Sequence, residues 1–149
     1  MSSPQAAPGP VRQPVHTMRM PIRWGDMDAM GHVNNTVYFR YIESARIAWL
    51  DQVGALPDPG RSSEGPVIVN AHCSFLKQLT YPGEIEVTTY VGAPGRSSIE
   101  VSHEIRLVGA DGQAGALHAE GGAKVVWIDF KAEKSRPLPD WLRALLPAG

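Results

Sequence analysis

Apolar residues recur along this chain with two periods. From Thr36 to Val53 they are Val37, Tyr38, Phe39, Tyr41, Ile42, Ala45, Ile47, Ala48, Trp49, Leu50 and Val53. They cover more than one stripe of a helix, and a helix apolar nearly all round is normally buried. Asn34-Asn35 ahead of it offers an N-cap, because an Asn side-chain oxygen accepts from a free N–H of the first turn. Gly54 offers the left-handed C-terminal cap. About 18 residues at ~1.5 Å each predict a rod of roughly 27 Å, which the rest of the chain is expected to wrap. The other segments follow period two. Strands are predicted at 15–24, 66–79, 84–91, 97–108 and 113–129. Pro21 interrupts the first ladder and marks that strand as an edge or as bulged. Turns fall at Tyr81-Pro82-Gly83, Ala93-Pro94-Gly95 and Asp111-Gly112. Gly121-Gly122 predicts a bulge or a close backbone approach. Asp140 is expected to cap a short helix, WLRALL, that docks through Trp141, Leu142, Leu145 and Leu146. Antiparallel strands around one long helix make an α+β domain.

Composition narrows the class. At 149 residues the chain is read as a flexible tail, residues 1–13, followed by a single domain, residues 14–149 with its short C-terminal helix. Hydrophobic residues are 43% and charged residues 19%, ordinary values for a globular protein. A net charge of −1 gives no attraction for nucleic acid or membrane. No apolar run reaches the ~18 residues that span a bilayer, and the N-terminus has no signal-peptide core. The single cysteine, Cys73, excludes an intramolecular disulfide, fits a reducing cytoplasm and reads as a small buried thiol on its strand. Residues 55–65 read as a surface connection. His103 falls on the apolar face of its strand and reads as a core or interface histidine. His118 and Glu120 share a face without amounting to a metal site. No metal or cofactor is expected.

The chemistry concentrates just before the long helix. Asp26-Met27-Asp28 leads through Gly31 and His32 into Asn34-Asn35. The first turn of a helix has unpaired N–H groups and the positive end of the dipole, suited to an anion or to a developing oxyanion. A carboxylate beside such a pocket is a minimal set for acyl transfer: one attacks or activates water, the other takes the charge. Spacing alone equally allows Asp26 and Asp28 to cap turns.

The string W-x-D-x-D-x-x-G-H-V-N-N-x-x-Y-x-x-Y-x-E-x-A-R, from Trp24 to Arg46, resembles the hotdog-fold thioesterases of the 4-hydroxybenzoyl-CoA thioesterase-like branch. The order of elements over about residues 15–130 matches as well. The resemblance implies a hotdog fold and thioester hydrolysis. Asp28 would be nucleophile or general base, and the N–H of Asn35 or its neighbour would polarise the carbonyl. Asn34 and His32 would fix the turn or contact substrate. Glu43 is a second candidate, since one branch uses a helix carboxylate. Arg96, with Ser97 and Ser98, would meet the coenzyme A phosphates; Arg40 and Arg46 are spaced to pair with Glu43. The H-V-N-N portion also resembles plant acyl-ACP thioesterases, but Met30 stands where those have a catalytic Asn. The implied assembly is a homodimer with a continuous sheet and the site between subunits, and a dimer of dimers beyond it. The substrate would be an acyl-CoA, with acyl-ACP hydrolysis or non-catalytic acyl binding as alternatives.

Overall fold

The computed structural model describes residues 12–148. Strand β1 (Arg12–Ile22) leads through a single 3-10 turn (Trp24–Asp26) to helix α1 (Asn35–Gln52). Strands β2 (Glu64–Phe75), β3 (Gly83–Gly92), β4 (Ser98–Val108) and β5 (Ala114–Asp129) follow. A two-residue strand, β6 (Lys134–Ser135), and a short helix, α2 (Asp140–Arg143), close the chain. The sheet is antiparallel in the order β1-β3-β4-β5-β2, with β6 on β5, and α1 lies on one face. This is the α+β arrangement that the sequence pattern predicts.

Residues 1–11 of the expected tail lie outside the described residues. Arg12 and Gln13, assigned to that tail, instead open β1 opposite Gly92 and Val91. The Arg12 guanidinium lies 3.9 Å from the Tyr90 ring centroid and 3.3 Å from a Glu104 oxygen, which anchors the strand end. Strand β1 is an edge, but its irregularity falls between Pro14 and His16; Pro21 keeps register with Glu84. An edge strand can turn a proline's missing donor outward.

Helix α1 has its expected caps. The Asn34 side chain accepts from the Thr36 N–H at 2.9 Å. Gly54 takes φ 77°, where only glycine is unstrained, and the Ala55 N–H returns to the Leu50 carbonyl at 2.8 Å. The wrapping is incomplete, however. Tyr38, Tyr41, Ile42, Ala45, Trp49 and Leu50 are buried, whereas Phe39 and Ile47 remain 38% and 44% exposed. One flank of the helix, beside β2, is left uncovered.

Gly121 explains how close the helix sits. A Cβ there would lie 2.5 Å from the His72 carbonyl oxygen and 2.9 Å from Ile42 Cδ1. The glycine pair is therefore a close approach and not a bulge; both ladders run unbroken through it. The bulges fall at Val69 in β2 and, in β5, at His118 and between Ala114 and Leu117, opposite Arg106 of β4. That second irregularity puts His118, which is buried, out of step with Glu120, which is exposed, so the two do not share a face. Strand β2 also ends before its predicted Leu79, because the N–H groups of Leu76 and Lys77 both donate to the His118 carbonyl. At the C-terminus Leu142 and Leu146 dock, while Trp141 and Leu145 stay about half exposed. Pro139, not Asp140, is the cap position of α2.

Candidate active site

The loop from Asp26 to Asn34 is a small hairpin tied at every step. Met27 and Val33 bridge each other. The Asp28 N–H donates to the His32 carbonyl at 2.9 Å, and the Gly31 N–H to the Asp28 carbonyl at 3.0 Å. Gly31 takes φ 82°, which explains a glycine at the tip. One Asp28 carboxylate oxygen, Oδ1, accepts from the Met30 N–H at 2.9 Å. The other makes no hydrogen bond among the described residues.

Asp26 ties this hairpin to both neighbours. Its carboxylate accepts from the Arg23 N–H at 2.9 Å and from the Tyr41 hydroxyl at 2.6 Å. Its carbonyl accepts from the Asn34 N–H at 3.0 Å. Burial first, and the bond to Asp26 second, push the Tyr41 phenol well above its ordinary pKa, so it stays a donor. From the other side, the Val33 N–H donates to the Leu79 carbonyl at 2.8 Å, and the Leu79 N–H donates to the Tyr38 hydroxyl at 3.1 Å. The segment after β2 is thus pinned beside the loop, and Tyr38 packs edge-on against Phe75 with ring centroids 5.0 Å apart.

At the start of α1 the polar accounting leaves one donor over. Asn34 uses its side chain on the Thr36 N–H and its carbonyl on the Val37 N–H. The Asn35 N–H donates to no acceptor among the described residues. Asn35 and Asp28 line one cavity of about 220 Å³, with His32, Tyr38, Phe75 and Lys77. A carboxylate oxygen, a backbone N–H at the positive end of an 18-residue helix and a half-apolar wall therefore meet in one place.

The structure brings together Asp28, His32 and Asn35; Asn34, half-buried, holds the turn as the helix cap. It does not bring in the others. Glu43 lies eight residues along α1 from Asn35, about 12 Å at 1.5 Å per residue, and lines a different cavity. No ion pair joins it to Arg40 or Arg46 among the described residues; Arg46 turns into the core instead. Arg96 and Ser97 sit on the β3–β4 turn and Ser98 opens β4, beside Val91, Ile99 and Trp127, at the opposite end of the sheet from Asp28. The Arg143 guanidinium donates there to the Gly95 and Arg96 carbonyls at 2.8 and 3.0 Å. Tyr38, Tyr41, Phe75 and Lys77 belong to the site or its support; the two tyrosines stand in the Trp24–Arg46 string without a role assigned from it, and Phe75 and Lys77 carry no signal in the sequence.

Cys73 is half-buried, less than expected, and burial pushes its thiol up to about 11, so it is not a thiolate nucleophile near neutral pH. Among the described residues no three His, Cys, Asp or Glu side chains are placed to hold a metal ion. No helix among them is long and apolar enough to cross a membrane.

Known proteins with this architecture bear on what the cavity is. The chain superposes on PA2801 of Pseudomonas aeruginosa, assigned as a thioesterase, with a TM-score of 0.78 and 39% identity over 89% of this chain and 98% of that one. A Xanthomonas campestris structure assigned as an acyl-CoA thioesterase gives a TM-score of 0.66 and 32% identity over 78% of this chain and 95% of that one. The chloroplastic acyl-acyl carrier protein thioesterase ATL3 of Arabidopsis thaliana is 28% identical over 87% of this chain; the chain spans 66% of ATL3's length. The profile of the Thioesterase-like superfamily matches residues 22–146, which takes in the Asp28 hairpin, α1 and every later strand. With a family match over residues 22–146 and a superposition over most of both chains, the chain belongs to the Thioesterase-like superfamily and has the hotdog fold.

Proposed function

We propose that this protein hydrolyses acyl-CoA thioesters in the cavity between Asp28 and the start of α1. The observation that carries this reading is the pairing, in one cavity, of a carboxylate oxygen and a helix N-terminal N–H that have no hydrogen-bond partner among the described residues. The thioester carbonyl oxygen accepts from the Asn35 N–H, where the helix dipole stabilises negative charge. The Asp28 carboxylate then follows one of two routes. It attacks the carbonyl carbon, expelling coenzyme A as the thiolate and leaving a mixed anhydride that water cleaves. Alternatively it takes a proton from a water, whose oxygen attacks the same carbon. In both, a carboxylic acid and coenzyme A are the products. Asp26 and Asn34 hold the loop and cap, and His32 lines the approach.

The working unit is a homodimer formed through β2. This strand is a sheet edge, it exposes Ile68, Val69 and Phe75, and it lies beside the bare flank of α1. An open apolar edge is a template for another strand. Antiparallel pairing with a second β2 about a two-fold axis sets the Phe75 end of one strand against the Glu64–Ile68 end of the other. The Asp28 cavity of one copy then adjoins the far end of its partner. That arrangement lets Arg96, Ser97 and Ser98 of a second copy meet the coenzyme's phosphates, and it leaves the helix carboxylate Glu43 as the runner-up to Asp28. A dimer of dimers and a reducing cytoplasmic setting complete the proposal.

The likeness to ATL3 supports a second reading, hydrolysis of acyl thioesters on a carrier protein. Thiol release from acyl-CoAs, short, long and aromatic, compared with the same acyl groups on a carrier protein, separates the two. Release from CoA substrates supports the first reading. Release from carrier substrates alone replaces it with the second. No release from either leaves an acyl-binding protein.

A further inference from the structure

Beneath the bare flank of α1 lies a second cavity, of about 300 Å³, between the helix and the start of β2. Its wall is largely apolar: Ile47, Leu50, Leu56, Val67 and Ile68 line it. Two charged residues join them, Glu43 and Arg46. Glu43 is exposed and suits the mouth, whereas Arg46 is only 7% exposed. Two of the Arg46 nitrogens, Nε and Nη1, are buried with no hydrogen-bond partner among the described residues.

The sheet explains why an arginine fits there. Opposite α1 the residues of β5 are small: Ala119, Gly121 and Ala123. Next to Gly121 in register is His103, fully buried, with Nδ1 3.1 Å from the Thr89 hydroxyl and Nε2 without a partner. The charge of Arg46 is near enough to contribute to lowering the pKa of His103. Buried donors without acceptors are costly, and native proteins leave few of them. Arg46 lines this apolar sleeve, and its third guanidinium nitrogen, Nη2, is not among the buried atoms. A mostly apolar cavity with one such donor suits a ligand with a hydrocarbon body and an oxygen at its far end.

We infer that this cavity takes the far end of the acyl group, and that Arg46 selects acyl groups whose far end carries a hydrogen-bond-accepting oxygen, as hydroxyl or carboxylate. The inference rests on the thioesterase reading and deepens it. Pairing through β2 sets the Arg46 cavity of one copy beside the Asp28 cavity of the other. The substrate's reacting carbonyl then lies on one chain and its remote end on the partner. A methyl end buried at the same place leaves the donors of Arg46 unmet, which is a strong basis for discrimination.

The test uses the whole protein and matched straight-chain acyl-CoAs of six to twelve carbons ending in methyl, hydroxyl or carboxylate. Wild type is expected to favour an oxygen-ended series over the methyl-ended one by at least about tenfold in kcat/KM. In Arg46→Met that ratio falls to within about twofold. Arg46→Lys keeps the cation and part of the preference, and serves if the Met variant does not fold. The hydroxyl and carboxylate arms tell the two oxygen sources apart. An independent readout is the nitrogen-15 resonance of the Arg46 Nε–H on adding uncleavable S-alkyl-CoA thioethers with the same ends. Oxygen-ended thioethers are expected to shift it and methyl-ended ones are not. Thioester cleavage without end-group preference and without a shift overturns the inference and leaves the hydrolase reading intact. A shift without any cleavage does the reverse. A ratio unchanged in Arg46→Met, with loss of the dimer, also overturns it and makes Arg46 an interface residue.

Discussion

The two ends of the core are built differently. At one end Ile22, Val33, Tyr38, Tyr41, Leu79 and Ile85 pack beneath the Asp28 hairpin. There the loop is held by directed bonds: Tyr41 to Asp26, Leu79 to Tyr38 and Val33 to Leu79. At the other end Trp49, Leu50, Val91, Ile99, Trp127, Leu138 and Leu142 form an apolar block sealed by α2. A row of polar or small residues crosses the sheet between them in register: His16, Thr89, His103, Gly121 and Cys73. Apolar packing is non-directional, whereas hydrogen bonds fix positions. Both ends contribute apolar burial, and the bonded end adds fixed geometry.

The largest predicted effect comes from the dividing row and is a pH dependence. Burial first, and the charge of Arg46 second, hold His103 down at about 3. Its ordinary value is about 6.5, so the unfolded chain takes up a proton at higher pH than the folded chain does. Stability from this group is therefore full above about pH 6.5 and is lost as pH falls toward about 3. The slope is about 1.4 kcal/mol per pH unit, or roughly 4–5 kcal/mol across the window. Urea unfolding of wild type and His103→Gln between pH 7 and pH 4 checks it. The variant should show a shallower fall, and parallel curves would count against a neutral buried ring.

Next comes the apolar block itself. Leu142 is fully buried against Trp49, Trp127 and their neighbours. Leu142→Ala should cost about 2–4 kcal/mol in chemical denaturation. Its kcat/KM under folding conditions should stay within about threefold of wild type. A large activity loss in a folded Leu142→Ala protein would break the division between the two ends.

The bonded end predicts the opposite balance. Tyr41→Phe removes the donor that holds Asp26 at 2.6 Å. It should cost about 1–2 kcal/mol of stability. Activity should fall at least about tenfold, because the Asp28 hairpin loses an anchor and misplaced groups react slowly. The smallest effect belongs to the hairpin tip: Gly31→Ala should cost about 1 kcal/mol through its φ of 82° alone, since open space surrounds the position.

Much of this was legible in the sequence because local patterns and tertiary structure agree. The alternation of Ile99, Val101, His103 and Ile105 put His103 inside, and Asn34 and Gly54 bracketed α1. The Asp28 hairpin was legible because its bonds are short-range, as in Met30 to Asp28 and Gly31 to Asp28. What escaped depends on contacts distant in the chain. Tyr41 stands in the Trp24–Arg46 string, but its bond to Asp26 exists only once the loop folds back on it. The end of β2 was hidden because a single carbonyl, His118, takes two donors. Phe39 and Ile47 were expected inside because a sequence cannot distinguish a helix covered by its own chain from one left bare on one flank. The separation of Arg96 from Asp28 is likewise a property of sheet order.

Thiol release from the preferred acyl-CoA by wild type and Asp28→Asn is the sharpest test of the loop carboxylate's role. The two proteins would first be matched for folding by circular dichroism and denaturation midpoint. Asp28→Asn, nearly identical in shape but without the charge, should lose at least about a thousandfold in kcat, roughly 4 kcal/mol of transition-state stabilisation. Activity within about tenfold of wild type would contradict it, and would move the chemistry from the loop carboxylate to another group, with Glu43 first in line.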